Sequence, residues 1–264
     1  MTSTASPASK SPSMTTRDAA TYVYCLVQSG KAPSLRGVPA SVPGAGLPRL
    51  ISIAENLWAV VADAPLDRFS GERLRDELQD VEAISRHAVA HASVVEFFFR
   101  RAPVIPLKLF TLFSSDERVL RHLRHRRLRL LKLFAALAGF EEWGVRITAA
   151  ETEARAARSL KSGRDYLQVK KRLNQRSAAP TRATVTAVNR ALMGLRQLAL
   201  RVRKETFPPP SRGRPFVAGA SFLVGSGKRR EWTEEVAKLS AALETEGHRL
   251  DMSGPWPPYH FVSR

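Results

Sequence analysis

Six consecutive residues, 22–27, constrain the fold of this chain more than any other stretch. They read Tyr-Val-Tyr-Cys-Leu-Val and are apolar at every position. A strand of this kind needs cover on both faces, so it predicts a central strand in a sheet packed on both sides. Cys25, the single cysteine, is expected to pack there as a small hydrophobic group. One cysteine allows no intramolecular disulfide and no Cys-rich metal site, so a reducing cytoplasm is the expected setting.

Turn and cap signals divide the rest of the first half into strands and helices. Glycines and prolines recur through residues 29–48, which predicts a long loop. Asp67 or Ser70 is placed to cap a long amphipathic helix whose apolar residues recur every three or four positions. The predicted elements are a hairpin of Leu50–Ala54 and Leu57–Ala62 joined across Glu55-Asn56, the long helix ending at Phe99, a strand over Pro103–Phe110, and a helix capped by Ser114 or Ser115 that reaches Leu137.

The second half shows the order strand, helix, helix, strand, helix, strand. This order predicts an α+β sandwich of the ferredoxin-like kind, modified by a helical insertion. Residues 1–18 carry almost no large apolar side chain, so we expect a disordered tail there. The predicted fold class is therefore α+β with two domains, 19–140 and 141–264. The second-half elements are Trp143–Thr148, Glu151–Ser177, Thr184–Glu205, Phe216–Val224, Glu231–Glu246 and Arg249–Ser253.

Positive charge is concentrated in the second half. The formal net charge is +18, of which residues 1–110 contribute only +2. A solvated basic face is the favoured interpretation, and a polyanionic partner is the alternative. A basic nucleic-acid-binding protein is accordingly the second functional hypothesis, with no accompanying aromatic or helix-turn-helix pattern. Its predicted basic helix carries Arg155, Arg158, Lys161, Arg164, Lys170, Lys171, Arg172 and Arg176.

The motifs that would carry chemistry are incomplete. Gly225-Ser-Gly-Lys228 lacks the first glycine and the final Ser or Thr of a phosphate-binding loop, which favours a plain turn with Lys228, Arg229 and Arg230 in solvent. His87 and His91 lie four residues apart, but no third metal ligand is marked, so a helix-surface or interface pair is favoured. Glu141 and Glu142 are adjacent and splay apart on most backbones. His122 and His125 are expected in solvent. We therefore expect no catalytic residue, cofactor or metal, and no uncharged apolar run approaches the about 18 residues of a membrane span.

Three consecutive phenylalanines, Phe97–Phe99, end the predicted long helix. A helix can turn only part of three successive positions toward one core, so at least one ring needs a second covering element or stays exposed. Burial within the protein is favoured, and a groove for an apolar partner protein is the alternative. Phe110 and Phe113 are expected to extend the same patch.

Several segments together resemble the gas vesicle protein L/F family. The resemblance runs from about residue 20 to the C-terminus, and the ending is its most specific part. After Pro106-Leu107 the family usually shows Arg-Phe-Gly-Thr, whereas this chain places Phe110 where the glycine stands, so a different local backbone is expected. The matching segments are Ala90-His-Ala-Ser-Val-Val95, Pro103-Val-Ile-Pro-Leu-Lys108, Glu141-Glu-Trp-Gly-Val145, Gly163-Arg-Asp-Tyr-Leu167 and Gly254-Pro-Trp-Pro-Pro-Tyr-His-Phe-Val262.

The resemblance implies a non-catalytic accessory protein of gas vesicles, the protein-walled, gas-filled organelles that give buoyancy. Implied partners are the small apolar shell protein and other gas vesicle accessory proteins, and the implied location is the gas vesicle in the cytoplasm. Our hypothesis is that an apolar groove near Phe97–Phe99 shields or positions shell-protein monomers before they join the wall. Replacing Phe97 and Phe98 with Ser should then weaken binding and leave the fold intact. In the ending, prolines stiffen the chain so that Trp256 and Tyr259 can dock, either onto the domain's own core or onto a partner.

Overall fold

The computed structural model describes residues 19–149, 182–204 and 216–262. By contact the chain divides into two units, Met1–Leu130 and Leu131–Arg264, and each is described by itself. The predicted division after residue 140 stays a prediction. The predicted tail 1–18, the predicted helix Glu151–Ser177 and the basic side chains on it lie outside the described residues.

The first unit is built on strand β1, Ala19–Gln28, in which every residue from Ala20 to Val27 is buried. Antiparallel strand β3, Leu57–Pro65, pairs along its whole length, and β2, Arg49–Ala54, pairs with β3 on the outside. The short strands β4, Val104–Pro106, and β5, Leu112–Phe113, pair with the other edge of β1. The prediction of a covered central strand, the loop at 29–48 and the hairpin across Glu55-Asn56 are confirmed.

The predicted helix from residue 67 or 70 to Phe99 is three helices. These are α1, Leu66–Phe69, α2, Gly71–Gln79, and α3, Val81–Phe99. Ser70 and Asp80 both have extended backbone dihedrals, and the Asp80 carboxylate accepts from the Glu82 backbone N–H at 2.9 Å. Apolar spacing continues across both breaks, which explains why the pattern predicted one helix.

Two further predictions in this unit are corrected in the same way. The strand expected over Pro103–Phe110 ends at Pro106, because a turn follows in which the Thr111 N–H donates to the Lys108 carbonyl at 3.2 Å. The helix expected to run to Leu137 is broken at Arg126. It forms α4, Asp116–His125, capped by Ser115, and α5, Arg127–Leu137.

The second unit contains a four-stranded antiparallel sheet. Its strands are β6, Phe140–Ala149, β7, Ala199–Lys204, β8, Phe216–Gly225, and β9, His248–Trp256, in the order β7-β8-β6-β9. Helix α6, Arg182–Leu198, precedes β7, and α7, Arg229–Thr245, connects β8 to β9. The prediction of a helix over Thr184–Glu205 is therefore partly wrong. The helix ends at Leu198, and the residues that follow form β7, which pairs with β8.

A core of the second unit lies between this sheet and the helices α6 and α7. Trp143 and Ile147 of β6 pack with Phe222 of β8, Leu195 of α6 and Trp232 of α7. The Phe222 and Trp232 ring centroids are 5.0 Å apart. In the part of the chain that the structure describes, no helix combines the length and apolar character needed to cross a membrane.

Candidate functional site

The phenylalanine triplet at the end of α3 is mostly buried. Phe98 is 1% exposed and Phe97 8%, whereas Phe99 is half-buried. The Phe97 and Phe98 rings meet edge to face with centroids 5.1 Å apart. Of the three rings, only Phe99 offers substantial accessible surface to a partner. The expectation that Phe97 and Phe98 could become Ser without harm to the fold is therefore corrected, because both rings belong to the packed interior.

A depression of about 570 Å³ lies beside Phe97. The guanidinium carbon of Arg101 sits 3.8 Å from the Phe97 ring centroid, and Arg101 Nη1 donates to the Phe97 carbonyl at 2.5 Å. Phe97 is the only aromatic residue in the lining, so the depression is not the apolar groove of the hypothesis. Its walls are completed by Gly37, Pro39, Ser93, Glu96, Arg100 and Arg101.

Phe110 has a backbone conformation that glycine favours. Its φ is 58°, in the left-handed region, and the expected difference from the family's backbone stays a prediction. The Phe110 ring lies 5.1 Å from the His87 ring between centroids, and its N–H donates to the Tyr22 hydroxyl at 3.3 Å. These contacts hold a half-buried ring at a position where its backbone is strained.

His87 and His91 are buried inside the first unit, which corrects the prediction of a helix-surface or interface pair. Each is 3% exposed. His91 Nε2 donates to the Leu107 carbonyl at 3.1 Å, so Nδ1 of the neutral ring accepts from the Tyr22 hydroxyl at 2.8 Å. Burial, opposed by the hydrogen bond to Leu107, lowers the pKa of His91 to about 4. The sequence gives no signal of this network, because Tyr22 lies 69 residues from His91.

His87 makes a separate contact. Its Nε2 is 3.1 Å from the Glu77 carboxylate, which lies on α2. Within the ranges 19–149, 182–204 and 216–262, no group of three or more His, Cys, Asp or Glu side chains is placed to hold a metal ion.

Phe113 lies in a second depression, of about 540 Å³, formed with α4. Its ring centroid is 5.3 Å from that of His122. His122 and His125 are exposed, as predicted. Phe113 itself is half-buried, and the rest of the lining is basic: Arg118, Arg121, His122, His125 and Arg126. Phe110 and Phe113 therefore have different surroundings.

The chain's ending lies against the sheet of the second unit. Phe261 is buried with Leu137 and Leu223, and both prolines before Tyr259 are buried. Tyr259 is half-buried, and Trp256, the last residue of β9, is 39% exposed. The ending thus contributes to its own unit's core while Trp256 retains accessible surface.

Glu142 fixes this ending. The Glu142 carboxylate is 3% exposed and accepts from the His260 backbone N–H at 2.9 Å, with a second, short hydrogen bond to His260 Nδ1. The Ser221 hydroxyl lies 3.3 Å from the same His260 Nδ1. A catalytic triad needs its Ser and its carboxylate on opposite ring nitrogens, so these three side chains form a structural contact instead.

The neighbouring Glu141 pairs with Arg229, consistent with the prediction that Glu141 and Glu142 splay apart. Arg229 Nε donates to Glu141 Oε2 at 3.2 Å, and Nη2 makes a shorter contact to Oε1. Hydrogen bonding to Glu141 and its negative charge raise the pKa of Arg229. Gly225-Ser-Gly-Lys228 forms a short 3₁₀ turn into α7, so the turn is confirmed, while the expectation of solvent alone around Arg229 is corrected.

The sequence of this chain is similar to those of known proteins. Residues 20–263 match the family model described as "Gas vesicle synthesis protein GvpL/GvpF". Gas vesicle protein L of Streptomyces sp. (strain CB03234) is 29% identical over 260 residues, covering 91% of this chain and 92% of that protein.

Two solved structures share the fold. The crystal structure of GvpF from Anabaena sp. PCC7120 has a TM-score of 0.65 at 17% identity and covers 93% of this chain and 97% of that one. GvpF from Microcystis aeruginosa has a TM-score of 0.63 at 15% identity, covering 93% and 99%.

Proposed function

Because the chain belongs to the gas vesicle synthesis protein GvpL/GvpF family, we propose that it is a non-catalytic accessory protein that binds the shell protein and other accessory proteins during gas vesicle assembly. The observation that carries this proposal is the extent of the family match, which runs through both units of the chain. We place its action at the gas vesicle in the cytoplasm.

On each unit taken by itself, the proposed contact residues are the aromatic side chains that remain accessible. These are Phe99 and Phe113 in the first unit and Trp256 and Tyr259 in the second, all half-buried or more exposed. Accessible aromatic rings bury large area at low entropic cost, which suits them to anchor a protein partner. Phe97, Phe98 and Phe110 lie in the first unit and are proposed to support only Phe99 and Phe113.

We also interpret the second unit as a modified ferredoxin-like fold. Numbered along the unit, its strands stand in the order 2-3-1-4 and every pair is antiparallel. This is the strand order of two interleaved β-α-β halves, and it supports the interpretation. The helical insertion of the prediction falls in residues outside the described ranges.

Deletion and rescue test the proposed function. Cells that make gas vesicles should lose them, or make fewer and smaller ones, when the gene for this chain is removed, and a plasmid copy should restore them under electron microscopy. Unchanged vesicles in the deletion strain would refute the proposal.

Affinity purification from the rescued cells, with and without nuclease, identifies the partners. Shell and accessory proteins retained after nuclease support the proposal. Recovery of nuclease-sensitive material alone would favour the second hypothesis, a basic nucleic-acid-binding protein, for which the net charge of +18 is the supporting feature.

A further inference from the structure

One concave surface of the first unit combines an apolar floor with a basic rim. We call it the arginine pocket: a depression of about 540 Å³ lined by Phe113, Arg118, Arg121, His122, His125 and Arg126. One wall is β5 and the other is α4 with its C-terminal cap. A space of this size holds one or two side chains, so it suits an anchor residue of a partner.

The rim carries positive charge that the described protein does not neutralise. Across 19–149, 182–204 and 216–262, no carboxylate lies within ion-pair distance of Arg118, Arg121 or Arg126. Three other arginines of the same unit are paired: Arg49 with Asp63 and Asp116, Arg86 with Glu82, and Arg100 with Glu96. What distinguishes the three rim arginines is that they surround one concave surface with an aromatic floor.

Helix stability explains only part of this charge. Basic residues in the last turn of α4, such as His125, complement the negative end of the helix dipole. Arg118 is the third residue of α4, near the positive end, where a cation is unfavourable. Burial, together with the charges of Arg126 and His125, lowers the pKa of His122, as expected where positive groups crowd one another.

Hydrogen bonds to the sheet of the first unit fix the position of α4, which forms one wall of the arginine pocket. Arg49 binds the Asp116 carboxylate through two nitrogens at 2.7 and 2.9 Å, and the Thr21 hydroxyl donates to the same carboxylate at 2.7 Å. Arg124 Nε donates to the Ile53 carbonyl at 2.9 Å. These bonds fix both ends of α4 to the sheet, so the basic rim is already organised before a partner arrives.

We propose that the arginine pocket docks an acidic protein segment carrying one apolar side chain, with carboxylates paired to Arg118 and Arg121 and the apolar group packed on Phe113. The positive charge of the rim favours a negatively charged partner. The Phe113 ring at the floor favours contact with an apolar side chain of that partner. A nucleic acid is disfavoured because α4, at about 15 Å, is too short to follow a run of phosphates and one ring offers one stacking position. The inference rests on the proposed function only in taking the partner to be a protein.

A labelled peptide tests the proposal on the full chain. The probe is fluorescein-tagged Gly-Glu-Glu-Leu-Glu-Glu-Gly, and binding is followed by fluorescence polarisation at physiological salt. The double variant Arg118→Glu with Arg121→Glu should weaken binding about tenfold, because two attractions become repulsions. Its matched control, Arg127→Glu with Arg129→Glu, changes the net charge equally on exposed positions outside the pocket and should weaken binding no more than about twofold.

Three comparisons use the same assay. Replacing the peptide's leucine with serine, or Phe113 with Ala, should weaken binding about fivefold, since either change removes the apolar contact. Replacing its glutamates with glutamines should abolish binding. An equal loss in the two double variants, no difference between leucine and serine peptides, or tighter binding of a thymidine oligonucleotide of equal charge would each overturn the proposal.

A readout on the unmodified protein guards against misfolded variants. A peptide with photo-leucine at the apolar position should crosslink to residues 113–126 as mapped by mass spectrometry. Crosslinks only elsewhere would overturn the pocket assignment. If the pocket fails these tests while the plasmid copy still restores gas vesicles, the proposed function stands without it. If the plasmid copy does not restore gas vesicles while the pocket still binds the peptide, the proposed function is refuted and the pocket assignment stands.

Discussion

Phe98 and Phe99 are neighbours on α3 with different surroundings. Phe98 is 1% exposed and Phe99 half-buried. Phe98→Ala should lower the free energy of unfolding by about 3 to 5 kcal/mol, because it leaves a cavity in the packed interior. Phe99→Ala should lower it by about 1 kcal/mol, since part of that ring already contacts water. Urea denaturation of both variants measures the difference, and equal losses would contradict the assigned burial.

The second prediction at this scale concerns His91 and pH. Its folded pKa is about 4, below the ordinary value of 6.5. Between these values the unfolded chain binds a proton that the folded protein does not, so stability falls as pH drops from 6.5 to 4. The contribution of His91 to this loss is about 3 kcal/mol over the full window.

Urea denaturation at a series of pH values checks this prediction. The variant His91→Asn removes the titrating group and should flatten the pH dependence between 6.5 and 4. His125→Asn changes an exposed histidine of the same unit and is the matched control. A wild-type slope that survives in His91→Asn would show that other groups cause it.

At the scale of elements, two adjacent glutamates of β6 make contacts that contribute unequally to the free energy of unfolding. Buried Glu142 holds the ending through the His260 backbone and ring, whereas Glu141 pairs with Arg229, whose side chain is 53% exposed. Glu142→Ala should cost about 2 kcal/mol and release the ending. Glu141→Ala should cost less than about 1 kcal/mol, because solvent screens its partner.

Hydrogen exchange at the His260 amide separates the two variants. Its protection should fall in Glu142→Ala and persist in Glu141→Ala. Protection that persists in both would mean that Phe261, packed with Leu137 and Leu223, holds the ending unaided.

The elements that the sequence pattern predicts correctly are those whose signal is local. The run of apolar residues in β1 and the Glu55-Asn56 turn each lie within a few positions. The breaks at Ser70, Asp80 and Arg126 are missed because apolar spacing continues through them. Strand β7 is missed because its edge position gives it few buried side chains, so its composition matches that of the basic helix before it.

For the candidate site, too, the sequence predicts local features and misses those that depend on long-range packing. The sequence identifies the aromatic residues, but it does not determine which of them are exposed. Burial of Phe98, for example, depends on packing within the folded unit. The pairs Tyr22 with His91 and Glu142 with His260 are also beyond sequence patterns, because their members lie 69 and 118 residues apart.

At the scale of the whole molecule, the position of the boundary between the two units has a measurable consequence. Contacts divide the chain after Leu130, whereas the sequence predicts a boundary after residue 140. The disputed stretch contains Leu137, which is buried with Leu223 and Phe261, and Leu133, which packs against the same cluster. A second unit cut at residue 141 would therefore lose part of its own core.

Two fragments decide between the boundaries. Fragment 127–264 keeps α5 whole and should fold by itself, since it contains a complete sheet and a core around Trp232. Fragment 141–264 should be less stable by about 2 to 3 kcal/mol, because it loses the burial of Leu137 and exposes Leu223 and Phe261. Urea denaturation followed by tryptophan fluorescence measures both. Equal stability would place the boundary after residue 140, and failure of both fragments to fold would show that the units depend on each other.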